Sequence, residues 1–244
     1  MSFSRREFLL GAGGLLAAGL AGCNVQEGAP VVADLPDAER LPVPAPMIPA
    51  GPPSAPPPTV HQVPAFGANS FGIYPRSAWT RYGVVSSQIQ PMNGVTRITF
   101  HHSGDVHDGR NVPFLADGFA ETIQHLELVR EYHVRQRGWA DIGYHFAIDR
   151  MGRVFQLRSL RYQGAHVKGQ DEHNLGIVVL GNFDVQAPTA AQKERMVSFG
   201  KICKAQYAVG SSQVWIHREL GITRCPGTTM TAYMNDVRRR QHLL

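Results

Sequence analysis

The chain of 244 residues is poor in cysteine, with only Cys23, Cys203 and Cys225. Three is too few, and an odd number, for the disulfide framework of a small secreted domain. The apolar run Leu9–Ala21 would span about 20 Å as a helix, which is short of a bilayer core of roughly 30 Å. There is no internal repeat and no His-Glu-x-x-His zinc-protease motif. A repeat protein, a membrane-spanning first segment and that protease class are therefore excluded.

Proline is scarce in most of the chain but concentrated near its beginning. Twelve of the 17 prolines lie between Pro30 and Pro64, so five remain for everything after. Such a segment, almost free of aromatics, cannot bury enough apolar surface to offset its chain entropy, and we expect it to be extended and disordered. Its reach is on the order of 100 Å. We predict a tether over residues 23–70 and one globular domain over 71–244.

The N-terminus has the features of an export signal over residues 1–22. Paired Arg5 and Arg6 precede a short, weakly hydrophobic run, and they resemble a twin-arginine signal. The run ends in Leu20-Ala21-Gly22-Cys23, which resembles the bacterial lipoprotein box, with Cys23 as the lipidated residue. An ordinary signal peptide that contains a cysteine is the alternative. Asn24 follows the cysteine, and we expect a lipid anchor on the periplasmic face, preferentially at the outer membrane.

Charge is distributed as unevenly as proline. The formal net charge is +5, with +1 on residues 1–23 and −3 on residues 24–64, which leaves +7 for the rest. A basic domain favours polyanions, and charge alone does not choose between nucleic acid, phospholipid and an acidic cell-wall polymer. Nucleic-acid binding has no further support, because no stripe of basic and aromatic residues occurs.

Hydrophobic periodicity predicts an α/β domain with a single mixed sheet flanked by helices. The continuously apolar segment 175–180 is typical of a central strand covered on both faces. Pro188-Thr189 with Gln192 predicts a capping box at the start of a helix whose apolar stripe contains Cys203, so this thiol is expected in the core. The remaining predicted strands are 96–101, 144–148, 154–157 and 214–217, and the remaining helices are 114–138 and 229–240.

Two of the eleven histidines stand at the ends of predicted strands. His101 closes one strand, His217 closes the last, and Cys225 follows eight residues after His217. Two imidazoles and one thiolate form a set that suits Zn²⁺ with a fourth position for water. From the residues alone, scattered core histidines are the more common explanation.

A family resemblance strengthens the interpretation of these three residues as metal ligands. Five segments, in order, resemble the N-acetylmuramoyl-L-alanine amidases related to peptidoglycan recognition proteins and phage amidase-type lysozymes. They are Ile98–Gly104, Gly138–Phe146, Gly164–His166, Asn174–Ile177 with Gly181–Phe183, and His217 with Thr223–Gly227. Pro75–Trp79 resembles the entry segment of the same family. The resemblance covers about residues 73–240 and implies that family's fold.

The resemblance also implies roles for individual residues. His101, His217 and Cys225 would be the zinc ligands, with Tyr144 and Thr223 as auxiliary catalytic positions. Packing in the hairpin is the alternative for Tyr144, and capping a turn is the alternative for Thr223. His133 and His166 are implied as residues of the substrate groove, with a structural role equally open. Leu157-Arg158 departs from the Gly-Arg of many relatives, which puts the shape of the groove in doubt.

These observations favour a zinc-dependent enzyme that cleaves the amide between N-acetylmuramic acid and L-alanine in peptidoglycan. A zinc ion held by this set would activate water and polarise the carbonyl. The alternative is a non-catalytic peptidoglycan-binding module, and the intact ligand set argues against it. We expect a monomer whose partners are peptidoglycan or muropeptides and, through the lipid anchor, the membrane.

Overall fold

The computed structural model describes residues 31–32, 72–107 and 109–240. The predicted signal segment 1–22, the predicted lipidation site Cys23 and all of the predicted tether except two residues lie outside the described residues. Within the described part, no helix is both long enough and apolar enough to cross a membrane.

Twelve strands and α-helices make up the described part. The strands are β1 Val31–Val32, β2 Ile73–Tyr74, β3 Arg97–His102, β4 Asp105–His107, β5 Arg110–Asn111, β6 Phe146–Ile148, β7 Val154–Gln156, β8 Asn174–Val179 and β9 Val214–Ile216. The α-helices are α1 Phe119–Arg135, α2 Ala190–Tyr207 and α3 Thr228–Arg239.

Six strands form one mixed sheet in the order β2-β7-β6-β8-β3-β9. β3 runs parallel to both β8 and β9, and β6 runs parallel to β8. β6 and β7 form the predicted antiparallel hairpin, with β2 parallel to β7 at the edge. Because β3 and β9 are parallel neighbours, the residues that end them lie at the same edge of the sheet.

The central strand β8 is buried along its whole length, as its apolar run predicts. Successive side chains alternate between two cores because the side-chain period of a strand is two. Ile177 and Val179 pack on the side of α2 and α3, with Phe199 and Met230. Val178 packs on the opposite side, where α1 covers the sheet. The predicted mixed sheet flanked by helices is confirmed as the main sheet of the domain.

The same alternation places His101 on the α1 side of the sheet. Its neighbours in β3, Ile98 and Phe100, lie in the core under α2 and α3. In the parallel register, His101 is opposite Val178, which belongs to the core under α1. The imidazole therefore joins Tyr144, another member of that core.

Hydrogen bonds between side chains and the backbone determine where two of the helices begin. The predicted capping box is confirmed: Gln192 N–H donates to Thr189 Oγ1 at 3.0 Å, and Thr189 N–H donates to Gln192 Oε1 at 3.0 Å. The first helix begins at Phe119 and not at the predicted Phe114. Phe114 N–H donates instead to the side chain of Gln186 at 2.6 Å, a contact 72 residues away.

A small antiparallel sheet stands beside the main one. Its strand order is β1-β4-β5, with Val31 opposite Val106 and Val32 opposite Asp105. β1 belongs to the segment predicted as an extended tether. Its two residues extend the edge of the β4–β5 hairpin.

Candidate metal centre

Three side chains from separate parts of the sequence meet at one edge of the main sheet. His101 is the penultimate residue of β3, and His217 directly follows β9. The loop after His217 folds back, because Arg218 N–H donates to the carbonyl oxygen of Cys225 at 2.9 Å. This hydrogen bond holds Cys225 close to the end of β9, where the loop begins.

The potential ligand atoms of His101, His217 and Cys225 all lie within 4.8 Å of one another. His101 Nδ1 is 3.6 Å from Cys225 Sγ. A tetrahedral zinc ion with bonds of about 2.1 Å to nitrogen and about 2.3 Å to sulfur separates these atoms by about 3.6 Å. The predicted convergence of the three residues is present, and its spacing fits this metal.

All three residues are buried, and one of their nitrogens has no protein partner. Within the described residues, Nδ1 of His217 is a buried atom without a hydrogen bond. Buried polar atoms are rarely left unpaired, because each one costs desolvation free energy. An unpaired imidazole nitrogen on a candidate ligand is the state expected of an atom whose partner is a cation.

The electrostatics keep both imidazoles neutral. Burial lowers the pKa of His101 well below its ordinary value, and the neighbouring His217 and His166 lower it further. Burial also lowers the pKa of His217 to about 4, against a smaller opposite effect of Asp171. At pH 7 both rings therefore have a free lone pair, which is the form that binds metal.

Thr223 lies in the loop that presents Cys225. Its Oγ1 accepts a hydrogen bond from Cys225 N–H at 3.1 Å. The turn-capping role left open by the sequence is thus present in the structure, and it positions a candidate ligand. A direct role of Thr223 in chemistry stays a prediction.

Tyr144 lies against the candidate ligands, although it precedes the hairpin strand β6. Its ring centroid is 5.1 Å from that of His101, and the residue is 4% exposed. His133 packs on the other side of Tyr144, with ring centroids 5.8 Å apart. The tyrosine is therefore held between two imidazoles and next to the centre.

His133 and His166, implied as groove residues, are both buried. His133 Nδ1 accepts a hydrogen bond from Gly143 N–H at 3.1 Å, and its ring packs on Trp139 at 4.6 Å. His166 Nδ1 is 3.0 Å from His101 Nε2. The structure thus places His166 beside His101 and His133 beside Tyr144, and contact with substrate stays a prediction for each.

A cavity of about 270 Å³ adjoins the segment that leads to His166. Arg158 is one of its lining residues but is largely committed to the protein. Its guanidinium donates to the carbonyl oxygens of Ile142 at 2.8 Å, Gln163 at 2.6 Å and Asp141 at 3.0 Å. Burial lowers its pKa to about 10. Its neighbour Leu157, the position that departs from the Gly-Arg pattern, is buried in the core under α1, so the departure bears on packing.

The structure brings to the surroundings of the centre two residues to which sequence reasoning assigns no role. Asp171 Oδ1 accepts hydrogen bonds from the backbone N–H groups of His166 and Val167, at 2.7 and 2.8 Å. The carbonyl oxygen of Asn174 is 3.1 Å from His166 Nε2. The signal in the sequence for Asn174 is that it opens the family-like segment Asn174–Ile177.

Comparison with known proteins identifies the family. Residues 91–228, more than half of the chain, match Amidase_2, described as N-acetylmuramoyl-L-alanine amidase. Peptidoglycan-recognition protein SC2 of Drosophila melanogaster is 34% identical over 126 residues, which cover 49% of this chain and 64% of that protein. The human N-acetylmuramoyl-L-alanine amidase is 27% identical over 114 residues, which cover 46% of this chain and 20% of that protein. The chain thus spans less than two thirds of the length of these relatives.

Solved structures share the fold. A variant of Drosophila PGRP-LB in complex with tracheal cytotoxin has a TM-score of 0.60 and 21% identity, covering 72% of this chain and 99% of that one. N-acetylmuramoyl-L-alanine amidase LysC from Clostridium intestinale has a TM-score of 0.53 and 22% identity, covering 68% and 97%. On the family match and this shared fold, the chain belongs to the N-acetylmuramoyl-L-alanine amidase family.

Proposed function

We propose that the protein hydrolyses the amide bond between N-acetylmuramic acid and L-alanine in peptidoglycan, with Zn²⁺ as its cofactor. The observation that carries the proposal is the convergence of His101, His217 and Cys225 at one buried sheet edge, with Nδ1 of His217 unpaired among the described residues. Three protein ligands leave a fourth position, as in catalytic zinc sites.

The chain supplies ligands, orientation and a proton donor. The two neutral histidines and the Cys225 thiolate would hold the metal, which supplies Lewis acidity toward water and a carbonyl oxygen. Thr223 supports the Cys225 backbone through its hydrogen bond. Tyr144 lies beside His101, where a phenol O–H can stabilise negative charge that develops on the substrate oxygen.

The buried surroundings favour this electrostatic assistance. Tyr144 is enclosed by His101 and His133 and almost excluded from solvent. In such a low-dielectric site a hydrogen bond to a developing charge is stronger than in water. The phenol is also pre-positioned by its packing, so little reorganisation accompanies the reaction.

Peptidoglycan or a soluble muropeptide is the proposed substrate. Solved structures include PGRP-LB in complex with tracheal cytotoxin and PGRP-LE in complex with the same ligand, which is described for PGRP-LE as a monomeric diaminopimelic acid-type peptidoglycan. The formal charge of +7 on residues 65–244 agrees with a substrate that has carboxylates. A non-catalytic recognition module is the alternative, since the relatives include recognition proteins as well as amidases.

We further propose that the enzyme acts as a monomer at the cell envelope. Residues 1–22 would direct twin-arginine export, lipidation of Cys23 would anchor the chain on the periplasmic face, preferentially at the outer membrane, and residues 24–70 would provide reach. Export of a folded domain would allow zinc to bind before translocation, while Cys225 is reduced.

Digestion of defined muropeptides by the purified protein tests the activity. Mass spectrometry should detect free stem peptides and lactyl carboxylates, which disappear with a chelator and return with Zn²⁺. Cys225→Ser should abolish or strongly reduce turnover. Cys203→Ser is the matched control, because it removes a buried thiol that lies in the core under α2, and it should keep turnover per folded molecule.

Two outcomes would contradict the proposal. Intact muropeptides after incubation with the zinc-loaded protein would exclude the hydrolase. Equal peptidoglycan binding by the wild type and Cys225→Ser, together with no turnover by either, would establish the recognition module.

A further inference from the structure

His166 lies directly behind the candidate ligand His101. Its Nδ1 is 3.0 Å from His101 Nε2, and its own Nε2 is 3.1 Å from the carbonyl oxygen of Asn174. The side chain is completely buried. The Asn174 carbonyl, the His166 ring and the His101 ring thus form a continuous hydrogen-bonded series that ends at the candidate metal centre.

The carbonyl oxygen at one end determines every proton in this series. A carbonyl oxygen only accepts hydrogen bonds, so Nε2 of His166 must donate the hydrogen. The neutral His166 ring then has its lone pair on Nδ1, which accepts from Nε2–H of His101. His101 is left with its lone pair on Nδ1, the atom that is 3.6 Å from Cys225 Sγ.

The His166 ring has little freedom to leave this position, because two glycines enclose it. A Cβ built at Gly164 would lie 2.2 Å from His166 Cδ2, and one built at Gly176 would lie 2.6 Å from the same atom. Both distances are below any real contact of a Cβ atom. The ring therefore fills a space that only glycine leaves open at both positions.

The acceptor of the series is fixed as well. Asn174 is the first residue of β8, and both the oxygen and the nitrogen of its side-chain amide form hydrogen bonds. Its Oδ1 accepts from Thr99 Oγ1 at 2.8 Å, and its Nδ2 donates to the carbonyl oxygen of Gln170 at 2.9 Å. These bonds hold the backbone from which the Asn174 carbonyl reaches His166.

We propose that His166 is a positioning residue that, with the Asn174 carbonyl, locks His101 in the tautomer that binds metal through Nδ1. The inference rests on the zinc site of the proposed function, and it assigns His166 a role behind the metal and not in contact with substrate. Partners of this kind orient metal-binding histidines, and their loss typically weakens metal affinity by about 10–100-fold.

Imidazole ¹⁵N NMR of the metal-free full-length protein reads the tautomer directly. His101 and His166 should both be protonated at Nε2 and not at Nδ1. His101 protonated at Nδ1 would overturn the inference, whatever the protein does to peptidoglycan. This measurement needs no variant and no zinc.

Zinc affinity, measured by competition with a chromophoric chelator, provides the second test. His166→Phe fills the space but accepts no hydrogen bond, and it should weaken affinity about 10–100-fold. His166→Gln restores an acceptor and should recover most of the loss. The Co²⁺-loaded His166→Phe protein should have an altered visible spectrum, a signature that a loss of stability alone does not produce.

His125→Phe is the matched control. His125 is also a buried imidazole, but its neighbours are Asp105, 3.4 Å from its Nε2, and the ring of Phe114. The His125→Phe substitution should lower the melting temperature and leave zinc affinity unchanged. Wild-type affinity in folded His166→Phe would overturn the inference. A protein that binds zinc with the expected tautomers but releases no stem peptide would contradict only the proposed function.

Discussion

Acid should unfold the metal-free protein over a pH range determined by its buried histidines. His133 and His145 are both fully buried, and burial lowers the pKa of each from 6.5 to about 3. A nearby Arg158 lowers the pKa of His133 further, and His166 does the same to His145. Both rings therefore stay neutral in the folded chain at pH values where the unfolded chain protonates them.

The sign and size follow from this difference. Between pH 6.5 and about 3 the unfolded state binds more protons, so stability is complete above pH 6.5 and falls as the pH is lowered. At pH 5 the loss is about 2 kcal/mol for each histidine, or about 4 kcal/mol for these two. Since whole domains are stable by only about 5–15 kcal/mol, the protein should be close to unfolding by pH 4–5.

Urea unfolding in the presence of a chelator, at pH values from 7.5 to 4.5, measures the effect. His145→Gln should flatten the dependence near pH 5 by roughly 1.4 kcal/mol per pH unit, which corresponds to one proton. Thr189→Ala is the control, because it removes a helix cap worth about 1 kcal/mol and no titrating group. Its curve should run parallel to that of the wild type. An unchanged slope in folded His145→Gln would refute the reasoning.

Three other substitutions test separate parts of the molecule. Tyr144→Phe should lower kcat by about 10²–10³-fold in muropeptide assays, while binding is retained. Gly227→Ala should destabilise the protein by about 1–3 kcal/mol in urea, since the glycine has φ +83° and a Cβ there would lie 2.4 Å from the carbonyl carbon of Phe183. Cys23→Ser should move the protein from the membrane to the soluble fraction after cell fractionation.

Each of the three has a contrary outcome. Unchanged kcat in Tyr144→Phe would leave this tyrosine a packing residue. Wild-type stability in Gly227→Ala would mean that the loop can shift away from Phe183. Continued membrane association of Cys23→Ser would exclude the lipid anchor.

Much of the fold follows from local patterns in the sequence. The apolar run of β8 and the Thr189–Gln192 capping box are determined by burial and by backbone hydrogen bonds within a few residues, and both are correct. The start of α1 is wrong by five residues because Phe114 is held by Gln186, a contact that no local pattern contains.

The candidate site divides in the same way. The identity and order of His101, His217 and Cys225 are visible in the sequence, because strand ends and a short loop carry them. Their approach to within 4.8 Å depends on β3 and β9 being parallel neighbours, which is a property of the sheet.

The sequence alone determined the candidate ligands, the uneven prolines, the isolated cysteines and the main strands and helices, but not the short strands β1, β2, β4 and β5. Only the tertiary structure decided what surrounds the ligands, because the hydrogen-bond partners of His166 come from two separate segments, β3 and residues 171–174. Its contact with His101 spans 65 positions in the chain. The need for glycine at the two positions that enclose the His166 ring is evident only from the position of the ring between them. Local propensity determines the individual strands and helices. The direction of hydrogen bonds and the close packing between distant segments are determined only when the sheet assembles.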